Sequence, residues 1–317
     1  MRRAAFLALA LLLPFEARAE SWPSRPIRLV IPYAAGGPVD VAARIVGDKL
    51  AERFRERVLL DNRPGAGGNI GADLVAKATP DGYTLLFTTS SISIAPNIYK
   101  SLPYDVLRDL APISQILTQP TTLIALDDFA ASTIPELIAL ARAQPGIITY
   151  ASGGNGTTNH LSGEMLKALA GIDIVHVPYR GTAPAFSALI AGEVGMMFAS
   201  TIESMPLIKA GRVKALAVTN AERSPLLPDL PTIGEFVPGY ECTIWYGLWG
   251  PAGLPPEILT QLSDAILALA GQPEIKARFD QFGATLVAST PQAFARHLKA
   301  EVDRWAKLVA AAGIRID

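Results

Sequence analysis

One cysteine, Cys242, is all the thiol chemistry this 317-residue chain holds. An internal disulfide is impossible, so the fold must rest on its core, and a chain of this length can bury a large one. Histidine is almost as scarce, with His160, His176 and His297. None has a partner at metal-ligand spacing, which argues against a metal site. Neither sign of charge is in excess: 28 basic and 29 acidic residues give a net charge of −1. That leaves no basic surplus for nucleic acid or anionic lipid. Beyond the N-terminal segment no apolar run is long enough to span a bilayer. Enzyme signatures are missing as well. No G-x-S-x-G elbow surrounds Ser152. No Walker lysine is present, and the glycines at 65, 67 and 71 of "RPGAGGNIGADL" miss the dinucleotide spacing by one residue.

What is present begins with an address. Arg2 and Arg3 precede an apolar run from Ala4 to Leu13, and Ala17-Arg18-Ala19 supplies a small-x-small pattern. Residues 1–19 read as a secretory signal peptide cleaved after Ala19. No cysteine stands near that point to carry a lipid anchor. The expectation is a soluble periplasmic protein with a net charge of about −3 once three arginines and one glutamate leave with the leader.

Strand-like and helix-like segments then alternate. Ile27–Ile31, Val58–Asp61, Thr84–Thr88, Thr122–Leu126, Ile148–Ala151, Ile174–Val177, Val194–Phe198 and Val213–Thr219 read as strands. Helical patterns separate them, which predicts parallel sheets with helices on their faces. From Pro255 to Ala312 the pattern is helix after helix, a tail expected to pack back on an earlier domain.

The stretch "LVIPYAAGGPVDVAARI" joins a strand to a helix through Gly36 and Gly37, with Pro38 at the first helical position and Asp40 at the third. Bare glycines before a helix N-terminus suit a small anion. Alternatively, the turn is only tight, with nothing bound. "YASGGNGTTNHLSGEM", "VPYRGTAPAF" and "LFTTSSISIAP" repeat the theme, and ligands of open α/β sheets bind outside the carboxyl ends of strands. Four such ends predict a polar-lined cleft. Asp40 and Arg44, spaced i,i+4, read as helix support and loop anchoring. His160 and Glu164 stand one turn apart and form either a structural pair or, less readily, a catalytic one. Cys242 reads as a buried, inert thiol. The aromatic run "IWYGLWG" is either core or hinge packing, or a cleft lining.

Taken in order, "RPIRLVIPYAAGGPVDVAAR", "DNRPGAGGNIGADLVAKATPDGYTLL", "TYASGGNGTTNHLSGEML", "HVPYRGTAPAFSALIAGEV", "IKAGRVKALAVTNAERSPLLPDLPTIGEF" and "WYGLWGPAGLPPEI" resemble the extracytoplasmic solute receptors of tripartite tricarboxylate transporters, often called the Bug family. The resemblance covers nearly the whole mature chain. It implies an α/β, two-domain periplasmic-binding-protein fold, type II-like, with the cleft between domains and two crossings of the hinge. Residues 20–121 plus 240–317 would form the first domain and 122–239 the second, with crossings near Pro120–Leu123 and Pro238–Cys242. It implies a small carboxylate ligand, no cofactor and no metal, no chemistry, membrane transporter subunits as partners and a monomeric chain. The binding loops carry over to Tyr33, Ala35, Gly36, Gly37 and Asp40; to Thr88, Thr89 and Ser90; to Ser152, Gly153, Asn155, Thr157 and Thr158; and to Tyr179, Arg180, Gly181 and Thr182.

Many relatives have an aspartate facing the cleft where Ala199 stands. Alanine there predicts a ligand without an amino group, such as a dicarboxylate or an aromatic acid. Ser200, Thr201 or Glu203 would take over if the loop is shifted by a residue or more. Two rivals remain at this stage: a periplasmic ligand sensor feeding a signalling partner, and a secreted α/β enzyme with Ser152 or His160 as catalyst.

Overall fold

The apolar runs at Ile27–Ile31 and Thr84–Thr89 are buried along nearly their whole length, as strands covered by helices on both faces must be. The computed structural model describes residues 22–312 apart from Pro225 and Phe282, so the expected leader lies outside the described residues. The chain begins a first sheet with β1 (Ile27–Ile31), α1 (Pro38–Phe54), β2 (Val58–Asn62), α2 (Asn69–Ala76), β3 (Thr84–Thr89), α3 (Ser91–Ile98) and β4 (Leu110–Gln119). It leaves at Pro120 and builds a second sheet from β5 (Thr121–Leu126), α4 (Ile134–Ala143), β6 (Thr149–Ser152), α5 (Thr158–Ala170), β7 (Val175–Pro178), α6 (Thr182–Ile190), β8 (Met196–Ser200), α7 (Thr201–Lys209) and β9 (Val213–Val218). It then returns with β10 (Ile244–Pro251), α8 (Pro256–Ala270), α9 (Pro273–Asp280), β11 (Thr285–Leu286) and α10 (Pro291–Ala312). The strand orders are β11-β4-β10-β3-β1-β2 and β7-β6-β8-β5-β9.

The sheets are mixed rather than parallel throughout. β10 runs against β3 and β4, and β5 runs against β8 and β9. The reason lies in the crossings. A strand that enters from the other sheet starts at the edge where the parallel strands end. The register records this: Tyr246, near the start of β10, pairs with Thr89 at the end of β3, and Thr121 at the start of β5 pairs with Ser200 at the end of β8.

The aromatic run is β10, and its two faces do different work. Ile244, Tyr246 and Leu248 share a core with Leu29, Phe87 and α8. Trp245 and Trp249 point the other way, among Phe294 and Leu298, as period-2 alternation requires. Gly247 sits where a Cβ would fall 2.3 Å from the Phe294 ring.

The helical tail packs on the first sheet only in part. α8, α9 and the first half of α10 do so. The 22 residues of α10 make a rod of about 33 Å, long enough for Trp305 and Val309 to join the second-sheet core beside Leu161, Tyr240 and Cys242. Cys242 is fully buried, with burial raising its thiol to about 11, which agrees with an inert side chain.

Candidate functional site

Helices α1 and α6 both begin on a glycine. Gly37 and Gly181 are their N-caps, and neither helix has a side-chain cap. Their first N–H groups are therefore not satisfied in the usual way by a serine, threonine or aspartate. The two helices belong to different sheets, yet Gly37, Pro38 and Val39 line the same cavity as Gly181 and Thr182. A third N-terminus joins them. Thr157 caps α5 through its hydroxyl, which accepts from the His160 N–H at 3.4 Å, and Thr158 and Asn159 line the cavity beyond it. Three helix dipoles directed at one volume favour an anion there.

This inner cavity measures ≈ 130 Å³, and Val39, Ile244 and Tyr246 give it an apolar wall. An outer cavity of ≈ 540 Å³ adjoins it and shares Tyr33, Ala34, Gly153, Thr157 and Gly181. Among the described residues lining the outer space Arg180 is the only charged side chain. Among the described residues lining the inner one, the only charged side chain is Glu203.

Of the residues expected at the site, Tyr33, Gly37, Thr89, Gly153, Thr157, Thr158, Gly181 and Thr182 line the inner cavity, and Asn155, Tyr179 and Arg180 the outer one. Tyr33 is the hub of the first wall: its hydroxyl lies 2.8 Å from Thr89 Oγ1 and 2.6 Å from Ser91 Oγ. Thr88 approaches the same hydroxyl at 3.5 Å from behind and is itself buried. Ser90 lines neither cavity; its hydroxyl meets that of Thr158 at 2.9 Å and joins the two walls.

The rest serve the loops from outside the cavities. Ala35 and Gly36 are exposed on the turn. The Gly36 N–H is donated to Asp40 at 3.0 Å. Asp40 is buried, which opposes ionisation, but Arg44, Gly36 and Asn62 together hold its carboxyl below its ordinary value. It anchors the loop, as its spacing to Arg44 suggests.

Ser152 is fully buried, with its hydroxyl 2.6 Å from His176 Nε2 and donating to Gly154 O at 3.1 Å. It pins the glycine loop and lines neither cavity. The His160 ring stacks on that of His176 at 4.0 Å and not against Glu164, which instead accepts from the Tyr150 hydroxyl and from Lys167. Among the described residues no group of three metal-ligating side chains gathers anywhere.

Ala199 does not face the cleft. It is fully buried among Ala151, Ala185 and Met197. The residues after it turn inward instead: Ser200 and Glu203 line the inner cavity. Buried there, Ala199 does not bear on whether the ligand carries an amino group. Glu203 accepts from Thr182 Oγ1 and from Ser200 Oγ, each at 2.7 Å. Burial raises its carboxyl above the ordinary value, and these hydrogen bonds only partly offset that. Tyr246 follows the cleft-lining alternative for the aromatic run, whereas the loop at residues 64–68 is a wall that the sequence motifs do not assign. That loop follows β2 with the same glycine-rich signal as the other three.

The model of the family described as tripartite tricarboxylate transporter family receptor matches residues 42–314. A curated relative, the UPF0065 protein in the tcbD-tcbE intergenic region of Pseudomonas sp. (strain P51), is 39% identical over 294 residues, 92% of this chain and 88% of its own. Two solved structures superpose closely. R. palustris Rpa4515 with adipate has 37% identity and a TM-score of 0.87, covering 93% of this chain and 99% of that one. The periplasmic binding protein BugD has 38% identity and a TM-score of 0.86, with coverage of 93% and 99%. These neighbours are solute-binding receptors and not enzymes. No helix among the described residues is long and apolar enough to cross a membrane.

Proposed function

The chain belongs to the tripartite tricarboxylate transporter receptor family, and on that premise we propose that it captures a small organic carboxylate in the periplasm for uptake by a membrane transporter of that type. The observation that carries this reading is the pair of uncapped helix N-termini at Gly37 and Gly181, brought from two sheets to one cavity. Oriented N–H groups and helix dipoles hold a carboxylate without a dedicated cation. Arg180 adds a positive charge at the outer mouth. Adipate in the Rpa4515 structure supports the ligand class. In this reading residues 20–121 plus 240–317 and residues 122–239 are two lobes that close on the ligand. The chain works as a monomer after the leader is removed.

Thermal-shift screening of the exported protein against a panel of carboxylates tests the proposal. A ligand at 100 times its dissociation constant adds roughly 2.7 kcal/mol, read as a rise of several degrees in Tm. Stoichiometric binding with the ligand recovered unchanged is the expected result. A panel that leaves Tm unmoved, or a bound acid that is turned over, overturns it.

A further inference from the structure

A carboxylate held at the helix N-termini shares its cavity with another carboxylate belonging to the protein. The inner space is small, ≈ 130 Å³, and Glu203 is the one charged side chain among its described lining residues. Glu203 stands at the third position of α7, after the Ser200 N-cap. Part of its role is therefore to tie down the start of that helix. Three donors reach its carboxylate: the Thr182 hydroxyl at Oε1, the Ser200 hydroxyl at Oε2, and the Ser200 backbone N–H. A carboxylate offers about four acceptor positions, so capacity remains toward the cavity. The basic residue of this cleft, Arg180, lines the outer space, beyond the shared rim of Tyr33, Gly153 and Gly181. The site is therefore polar in both senses: acceptor-rich at Glu203, donor-rich at the helix ends and Arg180.

We propose that Glu203 is a specificity-determining residue that selects, among small carboxylates, those carrying an ammonium or hydroxyl donor at the end away from the helix N-termini. A donor there fills the remaining acceptor position of Glu203. A second carboxylate at the same place would face it across an apolar-walled space, where like charges repel strongly. The proposal rests on the receptor reading above and refines its ligand class.

The test uses ligands that differ only in the far group. Succinate, 4-hydroxybutyrate and 4-aminobutyrate form one set; adipate, 6-hydroxyhexanoate and 6-aminohexanoate form a longer one. Titration calorimetry on the full mature chain should rank the amino or hydroxy acid at least about tenfold tighter than the diacid of the same length. Glu203→Gln keeps an acceptor for Ser200 or Thr182 and removes the charge. It should weaken the amino acid and strengthen the diacid, a reversal that a merely structural loss would not produce. If every acid fails to bind the wild type, the receptor reading falls and this proposal with it. If acids bind but the diacid is preferred or equal in the wild type, the proposal alone is overturned. A folded Glu203→Gln variant with an unchanged ranking overturns it too. Should that variant not fold, the wild-type ranking still decides.

Discussion

Gly37 offers the cleanest single-residue test of the anion-binding wall. Its φ of −78° suits any residue, and a Cβ there would meet only Ala34 O at 3.6 Å. Gly37→Val should therefore fold normally while its side chain blocks access to the α1 N–H groups. Calorimetry with a ligand found by thermal shift should show binding lost or much weakened at unchanged Tm. Wild-type affinity would mean that the turn is only a turn. Gly153→Val is a harsher change, because its Cβ would lie 3.3 Å from backbone atoms of Gly181 and Thr182 and would push one loop off the other.

The stacked His160 and His176 give a second prediction at this scale. Burial holds His160 down to about 4; burial and the neighbouring His160 hold His176 down to about 3. In the unfolded chain both titrate near 6.5. Between those limits the unfolded chain binds more protons, so stability falls as pH drops below 6.5 and is fully in place above it. Each histidine contributes a slope of up to roughly 1.4 kcal/mol per pH unit. Urea midpoints measured across about pH 4.5–7 should fall toward acid, and His176→Gln should flatten that slope. A variant with the wild-type slope would show that other groups titrate.

Among the elements, those with a single regular period were legible from sequence, and those shaped by long-range topology were not. β1, β3 and β6 announced themselves by apolar runs that end in glycine or hydroxyl loops, and α8–α10 by helical spacing. β4 and β10 escaped because β10 inserts between β4 and β3, pairing with both across more than a hundred residues. No local signal says that a crossing strand must run antiparallel. Ala199 was misplaced for a related reason. β8 is buried at all five positions, so it carries no alternation to tell which of its last residues turns toward the cleft. Glu203 then lay one helical turn beyond the place where an acid was sought.

Packing between elements makes its own prediction. In α5, a Cβ on Gly163 would lie 2.3 Å from the Tyr150 ring, and both residues sit in the core of the second sheet. Gly163→Ala gains helix propensity, worth about 1 kcal/mol, but must displace a buried tyrosine that donates to Glu164 at 2.7 Å. Overpacking of this kind costs typically 1–3 kcal/mol. The net result expected is a lower urea midpoint with an unchanged slope. A higher midpoint would show that Tyr150 moves aside freely.

At the scale of the molecule, the cleft walls already touch. Ser90 meets Thr158, and the Tyr99 hydroxyl donates to Asn155 O at 3.5 Å. If the lobes open to admit a ligand, these contacts must part, while the connections near Pro120–Leu123 and Pro238–Cys242 bend. α10 limits how far, since Phe294 is fixed to the first sheet and Trp305 to the second-sheet core. The motion expected is a moderate closure rather than a free swing. Small-angle scattering should record a smaller radius of gyration with saturating ligand than without. The tryptophans of β10 are poor reporters of that change: Trp245 and Trp249 are 2% and 0% exposed and face Phe294, away from the cavity. Tyr246, on the opposite face, lines it. Tyr246→Trp would place an indole against the ligand, so its fluorescence should respond to binding while the native tryptophans stay nearly silent. A ligand that binds by calorimetry without compaction, and without a signal from that indole, would show a cleft already closed around an entry path through the outer cavity. The hinge reading would then be wrong.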